Sequence, residues 1–155
     1  MSARATLHLV ALLAPFAAAA LWVLLMYRSQ SGVALRQFLL FGGLGALAAQ
    51  VAAWLRWRAL ERRAREGHGA WHTGIGMAAI THLLFAVFGE ALLVFAAGGW
   101  RSVAGTGRGS DIVLQMLFFL LISIFAVGAI SFPSTAVLAQ WIANLRRKEL
   151  AHAAQ

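Results

Sequence analysis

Four long apolar runs, joined by short polar segments, set the pattern of hydrophobic and polar positions along the chain. The first run has no charged residue between Arg4 and Arg28, and the second has none between Arg36 and Arg56. A helix rises about 1.5 Å per residue, so about 20 apolar residues are enough to cross a bilayer. The pattern therefore predicts an all-α integral membrane protein with four transmembrane helices in a bundle. The predicted spans are residues 6–27, 37–56, 74–97 and 112–132.

The second helix is predicted to continue past its apolar run into solvent. Glu61 stands four residues before Arg65, and Arg62 stands four residues before Glu66. Opposite charges at this spacing are neighbours on a helix surface and stabilise the helix. With the orientation argued below, this extension lies in the cytoplasm.

Pro133 divides the last apolar stretch, which carries no charge between Asp111 and Arg146 and is too long for one straight crossing. Proline ends or kinks a helix because its nitrogen has no hydrogen to donate. In residues 134–149 the apolar side chains fall on one face and most polar and basic ones on the other, as in helices that lie on a membrane surface. Two alternatives follow: an amphipathic basic C-terminal helix over 134–149, or a kinked continuation of the fourth span.

Small side chains recur three and four residues apart on the second span. This spacing lets helices approach closely in lipid, where packing rather than the hydrophobic effect holds them together. The predicted helix-packing residues are Gly42, Gly45, Ala46, Ala49 and Ala53.

The amino-acid composition is typical of a membrane protein and indicates which binding partners to expect. The chain is 61% hydrophobic and 12% charged, whereas soluble domains average about 25% charged residues. It has no cysteine, which excludes disulfides, thiolate metal sites and cysteine nucleophiles. The net charge is +8, but the basic residues flank apolar spans, so we predict contact with the lipid bilayer and none with nucleic acid. The predicted lipid-headgroup contacts are Arg56, Arg58, Arg62, Arg63, Arg65, Arg146, Arg147 and Lys148.

The distribution of basic residues predicts the orientation. The N-terminal segment, the middle loop and the C-terminal segment together carry nine lysines and arginines, and the other two loops carry four. Short loops rich in lysine and arginine stay in the cytoplasm. Both termini are therefore predicted to be cytoplasmic, in a multi-pass protein of the cell (inner) membrane. A cleaved signal peptide is the competing interpretation of the first run, because Ala17–Ala20 offers small residues for cleavage.

Two ionisable residues, His82 and Glu90, lie inside the third span. A charge at the centre of a spanning helix costs about 2.5–3.5 kcal/mol on insertion scales, so such residues are default candidates for a functional site. On the fourth span Ser123 falls at the depth of His82 and Gln115 at that of Glu90, and Gln50 on the second span can bond to a neighbouring helix. These five residues are the intramembrane polar candidates for a proton or ion relay.

The alternative interpretation of the same residues is structural. Glu90 then lies close enough to the outer interface to meet water, Arg101 or Arg108, and His82 is a neutral histidine that bonds to a neighbouring helix. This interpretation requires no transport activity.

No catalytic constellation is present, and neither an enzyme activity nor a metal site nor a cofactor is expected. The sequence contains no HExxH zinc motif, GxSxG nucleophile elbow or nucleotide-binding loop. Haem needs two facing histidines within a bundle; His8 and His72 are the one pair predicted to lie at the same membrane edge.

Three hypotheses remain open at this point. The first is a non-catalytic accessory or assembly subunit, packing against itself as a homo-oligomer or against other membrane subunits. The second is a small proton- or ion-linked transporter or channel that uses His82 and Glu90. The third is a haem-carrying electron-transfer subunit.

Overall fold

The computed structural model describes residues 1–26, 31–96, 98–99 and 109–155, and the described chain is helical apart from short connections. Helix α1 is Ala3–Met26, α2 is Ser31–Arg65 and α3 is Trp71–Ala96. The last rod consists of α4, Gly109–Ser123, a π-helical turn at Ile124–Gly128, and α5, Ala129–Ala153. Four rods are long and apolar enough to cross a membrane, which confirms the predicted four-helix membrane bundle.

The helices pack in a regular order that leaves α3 central to the second half of the bundle. α1 lies against α2, α2 against α3, and α3 against both α4 and α5. α5 also reaches α1 and α2. Hydrogen bonds from Ala3 to Glu149, from Arg146 to Glu61 and from Arg147 to His68 join the helices at one end of the bundle, which we call the terminal end. The extension of α2 to Arg65 agrees with the predicted Glu61–Arg65 pair, which the structure forms at 3.1 Å, whereas Glu66 contacts His68 and does not pair with Arg62.

The helix continues without a break through Pro133, so the second of the two alternatives for residues 134–149 describes the backbone. The irregularity lies upstream, in the π turn at Ile124–Gly128. Pro133 has no N–H for the Ala129 carbonyl, four residues earlier, and the two hydroxyl side chains that follow it bond to the next two carbonyls of the same helix. Ser134 Oγ donates to the Ile130 carbonyl at 2.6 Å, and Thr135 Oγ1 donates to the Ser131 carbonyl at 2.7 Å.

The small-residue face of α2 lies against α1. A Cβ atom added at Gly42 would overlap the ring of Phe16, and one added at Gly45 would come within 2.9 Å of the Pro15 Cβ. Ala46 and Ala53 are buried, and Ala49 packs against the buried core. Glycine at these two positions therefore permits the close approach of α1 and α2.

The best-packed part of the molecule is at the terminal end. Leu7 of α1, Leu60 of α2 and Ile142 of α5 are fully buried there in one apolar cluster. A charged layer lies next to it: Arg146 Nη2 donates to Glu61 Oε1 at 2.6 Å, and Arg146 Nη1 donates to Glu149 Oε2 at 3.0 Å. Since these contacts join α2 and α5, they fix how the rods meet at this end.

The two carboxylates of this layer titrate below their ordinary range. The hydrogen bond from Arg146 lowers the pKa of Glu61, aided by a contact from Arg65 at 3.1 Å. The backbone N–H of Ala3 donates to Glu149, and this bond, followed by that of Arg146, lowers the pKa of Glu149. The start of α1 is thereby tied to α5.

These contacts divide the residues predicted to meet lipid headgroups into two groups. Arg65 and Arg146 pair with carboxylates, and Arg147 donates to the carbonyl oxygens of Ala64 and His68. Of the other predicted headgroup residues, Arg56 is half-buried, and the exposed ones are Arg58, Arg62, Arg63 and Lys148. Headgroup contact stays a prediction for all eight residues.

Candidate functional site at His82

The buried face of α3 is a single stripe that carries both ionisable residues of the span. Its members recur at steps of about four residues: Thr73, Gly74, Met77, Ala78, His82, Ala86, Glu90 and Val94. Residues four apart lie on the same face of a helix. His82 and Glu90 are each 5% exposed. Both side chains are therefore turned into the bundle.

His82 bridges two hydroxyl groups on the fourth rod. Its Nδ1 lies 2.6 Å from Ser123 Oγ, and its Nε2 lies 2.7 Å from Ser131 Oγ. The ring also stacks on Phe132, with centroids 5.4 Å apart and planes inclined by 23°. Both ring nitrogens thus have partners, and one face of the ring is fixed by an aromatic side chain.

The π turn explains how both serines reach one ring. Ser123 and Ser131 are eight residues apart, which on a regular α-helix separates their directions by about 80°. The π turn between them takes up about one extra residue, which brings the second serine back toward the first one's face. Sequence reasoning found Ser123 from its depth but missed Ser131, because hydrophobic patterns do not reveal a π turn.

The position of α3 relative to α5 is set by a close backbone contact at Gly74, eight residues before His82 on the same stripe. A Cβ atom added at Gly74 would lie 2.6 Å from the Ala136 Cα and would overlap the Thr135 carbonyl. Backbone atoms cannot move aside as a side chain can, so a larger residue would push the two helices apart. Gly74 therefore helps to hold the ring of His82 within reach of Ser131.

The chemistry available to this arrangement follows from the donor and acceptor groups. A neutral imidazole donates from one nitrogen and accepts at the other, and each serine hydroxyl can do both. The ring can exist as either tautomer between its two hydroxyl partners. It can therefore take a proton at one nitrogen and release one from the other, which is the requirement for a relay.

Glu90 lies two turns farther along the buried stripe. Its Oε2 atom is buried and has no hydrogen-bond partner among the described residues. A buried ionisable side chain inside a membrane span is costly and commonly marks a functional site. The loop residues Arg101 and Arg108, suggested above as structural partners for Glu90, lie outside the described residues.

Gln115, expected near Glu90, has an exposed side chain, and no hydrogen bond joins the two residues within the described part of the chain. The reason is rotational. Gln115 precedes Ser123 by eight residues of regular helix, with no π turn between them. Its direction is therefore about 80° away from that of Ser123, and depth alone did not reveal this.

Gln50 and His8 form a separate polar pair between α1 and α2. Gln50 Oε1 lies 2.8 Å from His8 Nδ1, and Gln50 Nε2 donates to the His8 carbonyl at 2.7 Å. The other histidine of the haem hypothesis, His72, is exposed at the start of α3. Gln50 thus supports helix packing and is not part of the His82 site.

Among residues 1–26, 31–96, 98–99 and 109–155, no cluster of three or more histidine, aspartate, glutamate or cysteine side chains could hold a metal ion. The chain matches no protein-family model, no curated protein and no solved structure.

Proposed function

We propose that this small multi-pass membrane protein carries protons, or ions coupled to protons, across the membrane, with His82 as the central relay group. The observation that supports this most strongly is the bridge from Ser123 through the imidazole to Ser131. In this assignment His82 receives and releases the proton, and the two hydroxyl groups pass it along the rod. Glu90 is the second protonatable group, two turns away on the same buried stripe.

The direction of the bridge supports transfer across the bilayer. Ser123 ends α4 and Ser131 lies in the first turn of α5, so the two hydroxyls follow one another along a single rod. In the positive-inside orientation both termini are cytoplasmic, in the inner membrane. Ser131 then lies on the cytoplasmic side of His82, and Ser123 and Glu90 lie toward the outer side.

The alternative of a purely structural histidine accounts for less of the arrangement. A packing role needs one hydrogen bond to fix the ring, and polar contacts of this kind between membrane helices contribute only about 0.6 kcal/mol on average. It also gives no role to Glu90, a second protonatable residue on the same buried stripe, whose Oε2 atom has no hydrogen-bond partner among the described residues. Buried ionisable residues inside spans commonly mark proton or ion pathways.

Proton flux into liposomes that contain the purified protein tests the proposal. A potassium gradient with valinomycin drives the flux, and a pH-sensitive dye inside the vesicles reports it. Glu90→Gln should lower the rate at least about tenfold, because an amide cannot exchange a proton. Glu66→Gln is the matched control, since Glu66 is exposed at the terminal end. Flux no greater than in empty vesicles would refute the proposal.

A second candidate function is that of an accessory or assembly subunit, and the exposure of α4 favours it. α4 makes its main contacts with α3, while its Leu114 and Phe118 side chains are 69% and 60% exposed. The partner would be another copy of this chain or a different membrane subunit. Mild-detergent purification from the native membrane tests this: a stoichiometric partner or a defined oligomer supports the subunit hypothesis, and a lone monomer argues against it.

The third hypothesis, haem binding, has a direct optical test. Protein purified from haem-sufficient cells should show a Soret band if His8 and His72 bind haem. A colourless preparation would eliminate this hypothesis.

A further inference from the structure

A polar cleft lies between the end of α2 and the start of α3, away from His82. Its volume is about 340 Å³. The lining residues are Arg56, Ala59, Arg62, Arg63, Glu66, His68, His72 and Thr73. We call it the arginine cleft. It belongs neither to the proposed relay nor to the Arg146 charge layer.

The cleft has the electrostatic character of an anion site. Three arginines face one carboxylate, Glu66, whose Oε2 atom is already 3.2 Å from the Nδ1 of His68. The arginines lie at positions 56, 62 and 63, which share one face of α2. Guanidinium groups offer several donors in a planar fork that fits the oxygens of a phosphate group.

The start of α3 adds to this character. His72 and Thr73 lie in the first turn of the helix, whose backbone N–H groups have no partners within the helix. The partial positive charge of a helix N-terminus attracts anions. The N–H of Ala70 donates to Gln140 Oε1 at 2.8 Å, and the N–H of Gly74 donates to the Ala70 carbonyl at 3.1 Å.

Arg56 provides the observation that points to a bound group. Its guanidinium lies against Gly76 of α3, where an added Cβ atom would come within 3.1 Å of Nη2. Its Nε atom is buried and has no partner among the described residues. A buried donor on a charged group is costly to leave unpaired. An anion in the cleft would supply the missing acceptor.

We propose that the arginine cleft binds a phosphate group, with Arg56, Arg62 and Arg63 as its ligands. Two sources share this chemistry: the headgroup of an anionic phospholipid and soluble inorganic phosphate. The cleft opens at the predicted membrane edge, where Trp54 and Trp71 are exposed as tryptophans at an interface are. The proposal does not depend on proton transport at His82.

Native mass spectrometry of the full chain in maltoside micelles, which contain no phosphate, tests the site. One arm adds phosphatidylglycerol, a second adds phosphatidylcholine, and a third adds inorganic phosphate, and isothermal titration calorimetry measures the affinity. We expect saturable one-to-one binding of phosphatidylglycerol or of phosphate. Binding of phosphatidylglycerol alone identifies a lipid site, and binding of inorganic phosphate alone identifies a site for a soluble anion. Binding of both shows that the cleft recognises the phosphate group that the two ligands share. Phosphatidylcholine should bind more weakly than phosphatidylglycerol.

Arginine variants distinguish binding at a specific site from general attraction to a positively charged surface. Arg56→Gln and the double variant Arg62→Gln/Arg63→Gln should each weaken binding roughly tenfold or more, since each removes charge-assisted contacts. Arg58→Gln is the matched control: it removes one charge from the same helix, but Arg58 is exposed and does not line the cleft. Arg62 and Arg63 are exposed, so their double variant tests the site even if Arg56→Gln does not fold. An equal loss with Arg58→Gln, or no saturable binding in any arm, would overturn the proposal.

Discussion

Ser123 and Ser131 lie eight residues apart on one helical rod, and both place their hydroxyl groups against the ring of His82. A regular α-helix would turn the second serine away from the first. The π turn at Ile124–Gly128 lies between them and corrects the rotation. π turns are rare, and many occur at functional sites. Here the distortion has an identifiable result, which is that one imidazole is bonded at both nitrogens.

The π turn can be removed by deleting one residue. Deletion of Phe125, which is 81% exposed, should convert the segment to regular helix. The two serines would then be seven residues apart, a rotation of about 700°, so both should still face His82. The ¹⁵N resonances of His82 should therefore keep both hydrogen bonds. Insertion of one alanine after Phe125 should instead turn Ser131 away by about 100°, and the His82 resonances should report the loss of one hydrogen bond. Phe125→Ala keeps the chain length and serves as the control, so its His82 resonances should remain those of the parent. Loss of a hydrogen bond in the deletion variant would show that the π turn does not compensate for one extra residue.

Removal of either serine hydroxyl should destabilise the bundle modestly. Ser131→Ala leaves His82 Nε2 without its partner, which we expect to cost about 0.5–2 kcal/mol of unfolding free energy. Ser134→Ala is the control, because its hydroxyl bonds only to a carbonyl of its own helix. Unfolding in mixed micelles with increasing dodecyl sulfate measures both variants. Equal effects of the two variants would argue against the bridge.

Gly74→Ala should disturb the site through the backbone. The new methyl group would meet the Thr135 carbonyl and the Ala136 Cα, and overpacking of this kind costs about 1–3 kcal/mol. Gly89→Ala is the matched control on the same helix, because an added Cβ there meets nothing within 4 Å. A lower melting temperature is expected for Gly74→Ala alone. If both variants melt like the parent, the close contact between α3 and α5 does not hold the bundle.

Stability should fall in acid because of the charge layer at the terminal end. Contacts with Arg146 and Ala3 lower the pKa values of Glu61 and Glu149 in the folded protein. The unfolded chain therefore binds protons more readily, and the stabilisation is complete above the ordinary carboxyl pKa of about 4.3 and is lost as the pH falls through the lowered values.

The variant Glu61→Gln tests this acid dependence. It should be less stable than the parent near pH 7 and should lose less stability between neutral and acidic pH. Glu66→Gln, at an exposed position on the same helical extension, should keep the parent's pH dependence. Melting temperatures measured between neutral and acidic pH test this expectation. If the melting temperatures of the parent and of Glu61→Gln fall in parallel with pH, Glu61 is not the source of the acid dependence.

The fold was largely predictable because apolar run length and charge placement report directly on spanning helices. The four rods and the solvated end of α2 follow from these two signals. The two alternatives after Pro133 could not be separated by sequence, since a proline can either end a helix or lie within one in a membrane, and residue types alone do not decide between the two outcomes.

The membrane depth of each site residue was predictable from the sequence, but the direction of its side chain around the helix axis was not. Residue counts placed Ser123 at the level of His82, and the structure brings the two together. The same counts placed Gln115 beside Glu90, but the side chain of Gln115 is exposed. Ser131 was missed because its direction depends on the π turn. Which residues share a depth can be counted along a chain, whereas which ones face each other depends on local helix geometry.

Proton flux through liposomes that contain the His82→Gln variant tests the central claim most directly. Glutamine can still bond to the two serine hydroxyls, but it cannot take up a proton. His72→Gln makes the same substitution at an exposed position outside the buried stripe. We expect His82→Gln to lower the flux to the level of empty vesicles and His72→Gln to leave it at the parent's rate. A parent-like flux in His82→Gln would contradict the assignment of His82 as the relay.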